Sequence, residues 1–152
     1  MSESAYHQGL RERLVNAIPY SRELGVQVNS VGTESIEVML PFREDWIGDS
    51  VHGLIHPGIT SSFVDGAFGL AVLARLGKLR SIATLDLRMD YLRPALRDQA
   101  LFCRAECFRV TPHIAFARAT VWQSDMSNPV AISQATMMLG TAKKRVSAEA
   151  ST

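Results

Sequence analysis

The chain has 152 residues, enough for one domain with a real core and too few for two ordinary ones. An apolar share of 47% and a charged share of 20% are those of a globular protein, and a net charge of +1 leaves no electrostatic footprint for nucleic acid or an anionic membrane. No uninterrupted apolar run reaches membrane-spanning length, and Met1 to His7 lacks the basic start and apolar middle of a signal peptide, which together predict a cytoplasmic protein.

In chain order, residues 1–8 are small and polar and read as a frayed end, as do residues 145–152 beyond the basic cluster Lys143-Lys144-Arg145. Between Gly9 and Arg22, Leu10, Leu14, Ala17 and Ile18 repeat at helical spacing, and Pro19 is expected to end that helix. Leu24, Val26 and Val28 alternate with polar or small residues, and Ile36, Val38 and Leu40 alternate again. With Gly32-Thr33 between them, the two runs predict a hairpin. Residues 42–56 hold Gly48, Gly53 and many polar groups and read as a loop.

From His56 to Ala74 the chain carries a single charge, Asp65. Ile59, Phe63, Gly66 and Leu70 fall at three- and four-residue steps, and Phe68, Ala71 and Val72 widen the apolar surface most of the way round. Such a helix is normally buried, and a buried carboxylate is costly unless it is paired or used. Asp65 is therefore the candidate for chemistry.

Beyond Gly77, residues 82–92, 100–110, 114–123 and 130–139 are each strand-like, separated by turns at Pro94–Asp98, Thr111-Pro112 and Ser124–Pro129. Strict alternation in the first of them sets Ala83, Leu85, Leu87, Met89 and Tyr91 on one face and Thr84, Asp86, Arg88 and Asp90 on the other. Short links between successive strands imply antiparallel pairing, and layer rules then predict an α+β fold: one sheet of about six strands wrapped around one long central helix. Cys103 and Cys107, four apart on one strand, lie about 13 Å from each other and read as two buried free thiols. His52 and His56 lack the adjacent glutamate of a zinc-binding helix, so no metal site is predicted.

The order hairpin, loop, central helix, four-stranded meander resembles the hotdog fold, and the local sequence resembles the acyl-CoA thioesterases of the PaaI-like branch. Their signature is a Gly, a His-Gly-Gly and a helix Asp seven residues on, then a strand with Ser or Thr, a Tyr and a Pro-Ala. The counterparts are Gly53, His56-Pro57-Gly58, Asp65, Thr84, Tyr91 and Pro94-Ala95. The resemblance covers residues 20–140 in element order and implies a single hotdog domain over 1–152.

The resemblance implies hydrolysis of an acyl-CoA thioester, with Asp65 as general base or nucleophile and Thr84 orienting it or the attacking water. It implies no cofactor, CoA being part of the substrate. The family's oxyanion donor is the backbone N–H of the residue after the His. That residue is Pro57 here, which has none, leaving Gly58 one position on, with His56 beside it. Where some relatives place an Asn this chain has Ser50. Arg88 and Arg93, with Arg97 and Arg118 behind them, are the candidates for CoA phosphates, and Phe63, Phe68, Leu70 and Met89 for the acyl slot. The partners implied are acyl-CoA and a second copy of the chain, in a homodimer or homotetramer. The rival readings are a non-catalytic acyl-CoA-binding protein, favoured by Pro57, an enoyl-thioester hydratase, and a purely structural Asp65 satisfied by Ser61 or Ser62.

Overall fold

The structure, a computed structural model, describes residues 4–140. The basic cluster and the tail at 145–152 lie outside the described residues. Strands β1 (Gln27–Val31) and β2 (Ser35–Leu40) form the expected hairpin. Strands β3 (Ile47–Asp49) and β4 (Leu54–Ile55) form a small separate ladder inside the segment expected to be loop. The central helix α4 (Pro57–Leu76) follows three short α-helical pieces, α1 (Ala5–Gly9), α2 (Val15–Ala17) and α3 (Pro19–Leu24). The last four strands are β5 (Ile82–Tyr91), β6 (Leu101–Val110), β7 (Ile114–Trp122) and β8 (Ala131–Leu139).

Six strands form one antiparallel sheet in the order β1-β2-β6-β7-β8-β5. This is the hotdog fold, with α4 lying across β2, β6 and β7. Ala105, Ala117, Ala119 and Ala135 floor the sheet beneath it, and their small side chains let Phe63, Val64, Phe68 and Val72 of the helix sink into a close-packed core. The helix begins sharply, with His56 as N-cap and Pro57 in the first turn, and Gly77 in the left-handed conformation ends it. By length and composition α4 is long and apolar enough to cross a membrane, so the sequence expectation about membrane-length segments needs that qualification. Burial of its apolar residues under this sheet accounts for its character.

Several expectations are corrected. Strand β5 does not join its successor in a four-stranded meander; it pairs with β8 and forms one edge of the sheet. The link 92–100 therefore crosses the sheet end, pinned where Leu96 N–H donates to buried Gln123 Oε1 and Gln123 Nε2 donates to Leu96 O. Pro19 starts α3 rather than ending a helix, as its ring suits a first turn. Leu24 closes α3 and Gly25, left-handed, caps it, so the strand begins only at Gln27.

Nor is the N-terminus frayed from Ser4 onward. Ser4 caps α1, the Tyr6 hydroxyl donates to Leu73 O (3.0 Å), and buried His7 donates Nε2–H to Ala74 O (3.1 Å). The last turn of a helix leaves carbonyls without intrahelical partners, and α1 supplies a donor to Ala74 O and a second one to Leu73 O, which also accepts from Gly77 N–H.

Strand β5 carries a β-bulge: Thr84 pairs with Met137 and Asp86 with Thr136, leaving Leu85 as the extra residue. A bulge shifts the alternation by one. Ile82 and Thr84 before it, and Leu87, Met89 and Tyr91 after it, lie opposite Leu139, Met137, Ala135, Ser133 and Ala131, all buried on the helix side of β8. Thr84 thus belongs to the helix face, contrary to strict alternation, while Leu85 is exposed. Asp86, Arg88 and Asp90 are on the open face, as expected.

Candidate active site

The bulge brings two β5 side chains to α4. The Thr84 hydroxyl donates to Asp65 Oδ1 at 2.7 Å, and the Tyr91 hydroxyl donates to Pro57 O at 2.9 Å. The first bond is short enough to be charge-assisted. Asp65 is half-buried rather than enclosed, and its hydroxyl partner is Thr84, not Ser61, whose Oγ donates instead to Gly58 O. Asp65 opens into a hollow of about 310 Å³ between α3 and α4, with Phe63, Leu70, Leu24 and Tyr20 on its walls. Of the residues expected to hold an acyl chain, Phe63 and Leu70 are at this hollow, Phe68 is fully buried in the core, and Met89 packs half-buried against it.

The entrance of α4 faces a different cavity, of about 680 Å³, lined by Asp49, His56, Pro57, Thr60, Tyr91 and Arg93 among others. Here the backbone donors are engaged. Pro57 has no N–H, Gly58 donates to His56 Nδ1 at 2.9 Å, and Ile59 donates to His56 O at 3.0 Å. Arg93 lies on the cavity wall with Nε and Nη2 donating to Asn128 O.

Ser50 sits exposed in the β3–β4 turn. That turn is organised by Asp49, which sequence reasoning missed: its carboxylate accepts from Val51 N–H, His52 N–H and His52 Nδ1–H (3.0, 3.1 and 2.8 Å). The His52 imidazole, and then the backbone N–H groups, hold the Asp49 carboxyl below the usual carboxylate range. An Asp followed by polar residues at a turn was the available signal.

The remaining arginines lie elsewhere. Arg88 is on the open face of the sheet, ion-paired with Asp90 beside a hollow that also holds Arg118, itself bonded to Glu106 at 2.6 Å. Arg97 pairs with Glu44. Within one chain, then, Asp65 and Thr84 come together, and His56 and Arg93 line the other cavity, with Gly58 bonded to His56. Arg88 joins neither.

The two groups are separated along the helix. Gly58 and Asp65 are seven positions apart, which is almost two turns on one face and a rise of about 10 Å. One thioester carbon cannot be within reach of both in a single chain.

A sequence model of the thioesterase superfamily matches residues 52–130, the stretch that contains β4, α4, β5, β6 and β7. A protein of Halobacterium salinarum whose name marks it as an esterase is 34% identical over 101 residues, spanning 64% of this chain and 66% of that protein. The medium/long-chain acyl-CoA thioesterase YigI of Escherichia coli is 25% identical over 142 residues, 85% of this chain and 90% of that one. Among solved structures, the phenylacetic acid degradation protein PaaI of Thermus thermophilus superposes with a TM-score of 0.69 at 26% identity, covering 80% of this chain and 98% of its own. Motif, fold and likeness agree: the chain belongs to the thioesterase superfamily, in its PaaI-like branch.

Proposed function

We propose that this protein hydrolyses acyl-CoA thioesters to free acid and CoA, with Asp65 as the catalytic carboxylate. The observation that carries the reading is the Thr84–Asp65 hydrogen bond: the only carboxylate on an otherwise apolar helix face is oriented by a strand hydroxyl, beside a hollow with apolar walls. Asp65 takes a proton from water as the water oxygen attacks the thioester carbon, or attacks that carbon itself to form an acyl-aspartyl anhydride that water cleaves, once the thiol has left, to the free acid and the carboxylate. The C–S bond then breaks and the CoA sulfur leaves, to be protonated. The likeness to an acyl-CoA thioesterase supports CoA as the thiol, and hydrolysis so read needs water and side chains alone, with CoA as part of the substrate.

The site is completed by a second copy of the chain. The rise of about 10 Å between Gly58 and Asp65 supports this, because the helix entrance of one subunit can meet Asp65 of another. Edge strand β5 and exposed Ile18, Tyr20, Leu85 and Leu92 provide an apolar, unpaired surface for that association, as a homodimer or a pair of dimers. Arg93, on the wall of the larger cavity, and Ser50, next in the chain to Asp49 of that wall, are assigned to the CoA side. Arg88, on the open face, serves only a CoA bound across a subunit boundary. Buried thiols at Cys103 and Cys107 support a cytoplasmic setting.

A second reading, an acyl-CoA-binding protein without turnover, is favoured by one observation: neither Pro57 nor Gly58 has a free N–H. Release of CoA from a panel of acyl-CoAs, compared between the natural chain and Asp65→Asn, tests the choice. Turnover that depends on Asp65 supports hydrolysis, and binding without turnover supports the second reading.

A further inference from the structure

Thioester hydrolysis needs a donor where negative charge develops on the carbonyl oxygen. At the larger cavity the obvious donors are committed. Pro57 has none, Gly58 and Ile59 N–H groups are bound by His56, and the Tyr91 hydroxyl is given to Pro57 O. The bond from Gly58 to His56 has a second consequence. A backbone N–H can only donate, so Nδ1 is the accepting nitrogen and the neutral ring carries its proton on Nε2. That Nε2–H has no partner among the described residues.

The ring is also held in place. A Cβ on Gly58 would lie 2.9 Å from His56 Nδ1 and 3.1 Å from Cε1. One on Gly48 would lie 3.0 Å from His56 Cβ and 3.2 Å from Cδ2. The imidazole therefore sits between two positions, one on β3 and one on α4, where only glycine leaves room. Nδ1 and Cε1 face one glycine and Cδ2 the other; Nε2 is the remaining ring nitrogen, on a side chain that is exposed and lines the cavity.

We infer that His56 Nε2–H is the donor to the thioester oxygen in this chain, replacing with a side chain the backbone N–H absent at Pro57. This rests on the hydrolase reading above. The helix cap and the oxyanion donor are then one residue: capping through Nδ1 fixes the tautomer that makes Nε2 a donor. Pro57 is tolerated because the donor has moved from the backbone to the ring.

The test uses the full chain and His56→Ser. Serine is a good N-cap and can still accept from Gly58 N–H, but it places no N–H in the cavity. The expected result is a fall in kcat of about a hundredfold or more with KM little changed, and recovery of about tenfold when Pro57→Gly is added to restore a backbone N–H. An unchanged kcat in His56→Ser, with Asp65→Asn inactive, overturns the inference and leaves the hydrolase reading standing. If the natural chain releases no CoA, that reading fails. The inference is then decided by the carbonyl stretch of a bound acyl-CoA analogue with methylene in place of sulfur. A downshift lost in His56→Ser upholds the hydrogen bond, and an identical stretch in both proteins overturns it.

Discussion

Thr84 and Tyr91 stand seven residues apart on one strand, and both hydroxyls reach the same helix, at Asp65 Oδ1 and Pro57 O. Residues an odd number apart face opposite ways in a regular strand. The bulge at Leu85 removes the conflict by adding one residue to the phase. The consequence is a helix carboxylate and a helix entrance both fixed by one edge strand.

Removing the Thr84 hydroxyl should expose its contribution. A hydrogen bond to a charged group contributes about 1.5 kcal/mol or more, so Thr84→Val is expected to lower kcat about tenfold, and Thr84→Ser to keep most of it. Steady-state kinetics on one acyl-CoA checks both. Equal activity in the valine variant would mean that the bond seen here does not act in turnover.

Deleting Leu85 asks whether the bulge itself is required. Without Leu85, Thr84 and Tyr91 stand six apart and the pairing with β8 becomes continuous, so plain alternation keeps Ile82 and Thr84 on the helix face with Leu87, Met89 and Tyr91. The deletion should therefore keep Ile82 in the core and retain more activity than Thr84→Val, losing only what the local bend of the bulge contributes to aiming the Thr84 hydroxyl. A folded deletion variant as inactive as Thr84→Val would contradict the view that the bulge acts by restoring the phase of the strand.

Much of this was legible in the sequence. The last four strands fall within a residue or so of their expected bounds because apolar and polar residues alternate strongly there. Helix α4 starts where His56-Pro57 sets it. The bulge was hidden because Leu85 is apolar and in phase with Leu87 and Met89, so composition favoured unbroken alternation, yet Leu85 is exposed. A clue was present: the resemblance put Thr84 and Tyr91 in one motif at an odd spacing. Strand order was not legible, since nothing in residues 92–100 shows that they cross the sheet end to a buried Gln123. The α1 clasp escaped notice because a few polar residues at a chain end look alike whether or not they cap another helix.

That clasp makes a prediction about stability. Tyr6→Phe loses the hydroxyl given to Leu73 O, which should cost about 1 kcal/mol and lower Tm by about 2–4 °C. Thermal unfolding followed by circular dichroism measures it. Turnover at low temperature should be unchanged, because α1 grips the far end of α4 from the site.

The β3–β4 turn should respond to acid. Its carboxylate, Asp49, is held below its ordinary range by His52 and two backbone N–H groups. A depressed carboxylate pKa contributes stability that is fully present above the unfolded value and is lost as pH falls through the folded one. Amide exchange at Val51 and His52 should therefore stay slow through neutral pH and down past the ordinary aspartate range, then quicken relative to intrinsic rates only at lower pH. Protection that fades already at neutral pH would contradict the role of the Asp49 carboxylate. Asp49→Asn should remove the acid dependence.

The most direct test of the central claim is CoA release by Asp65→Asn, which keeps the shape and the Thr84 contact while removing the base or nucleophile. Hydrolysis should fall by about a hundredfold or more, with the oligomer size by light scattering unchanged. Turnover equal to that of the natural chain would contradict the assignment of Asp65 as the catalytic carboxylate.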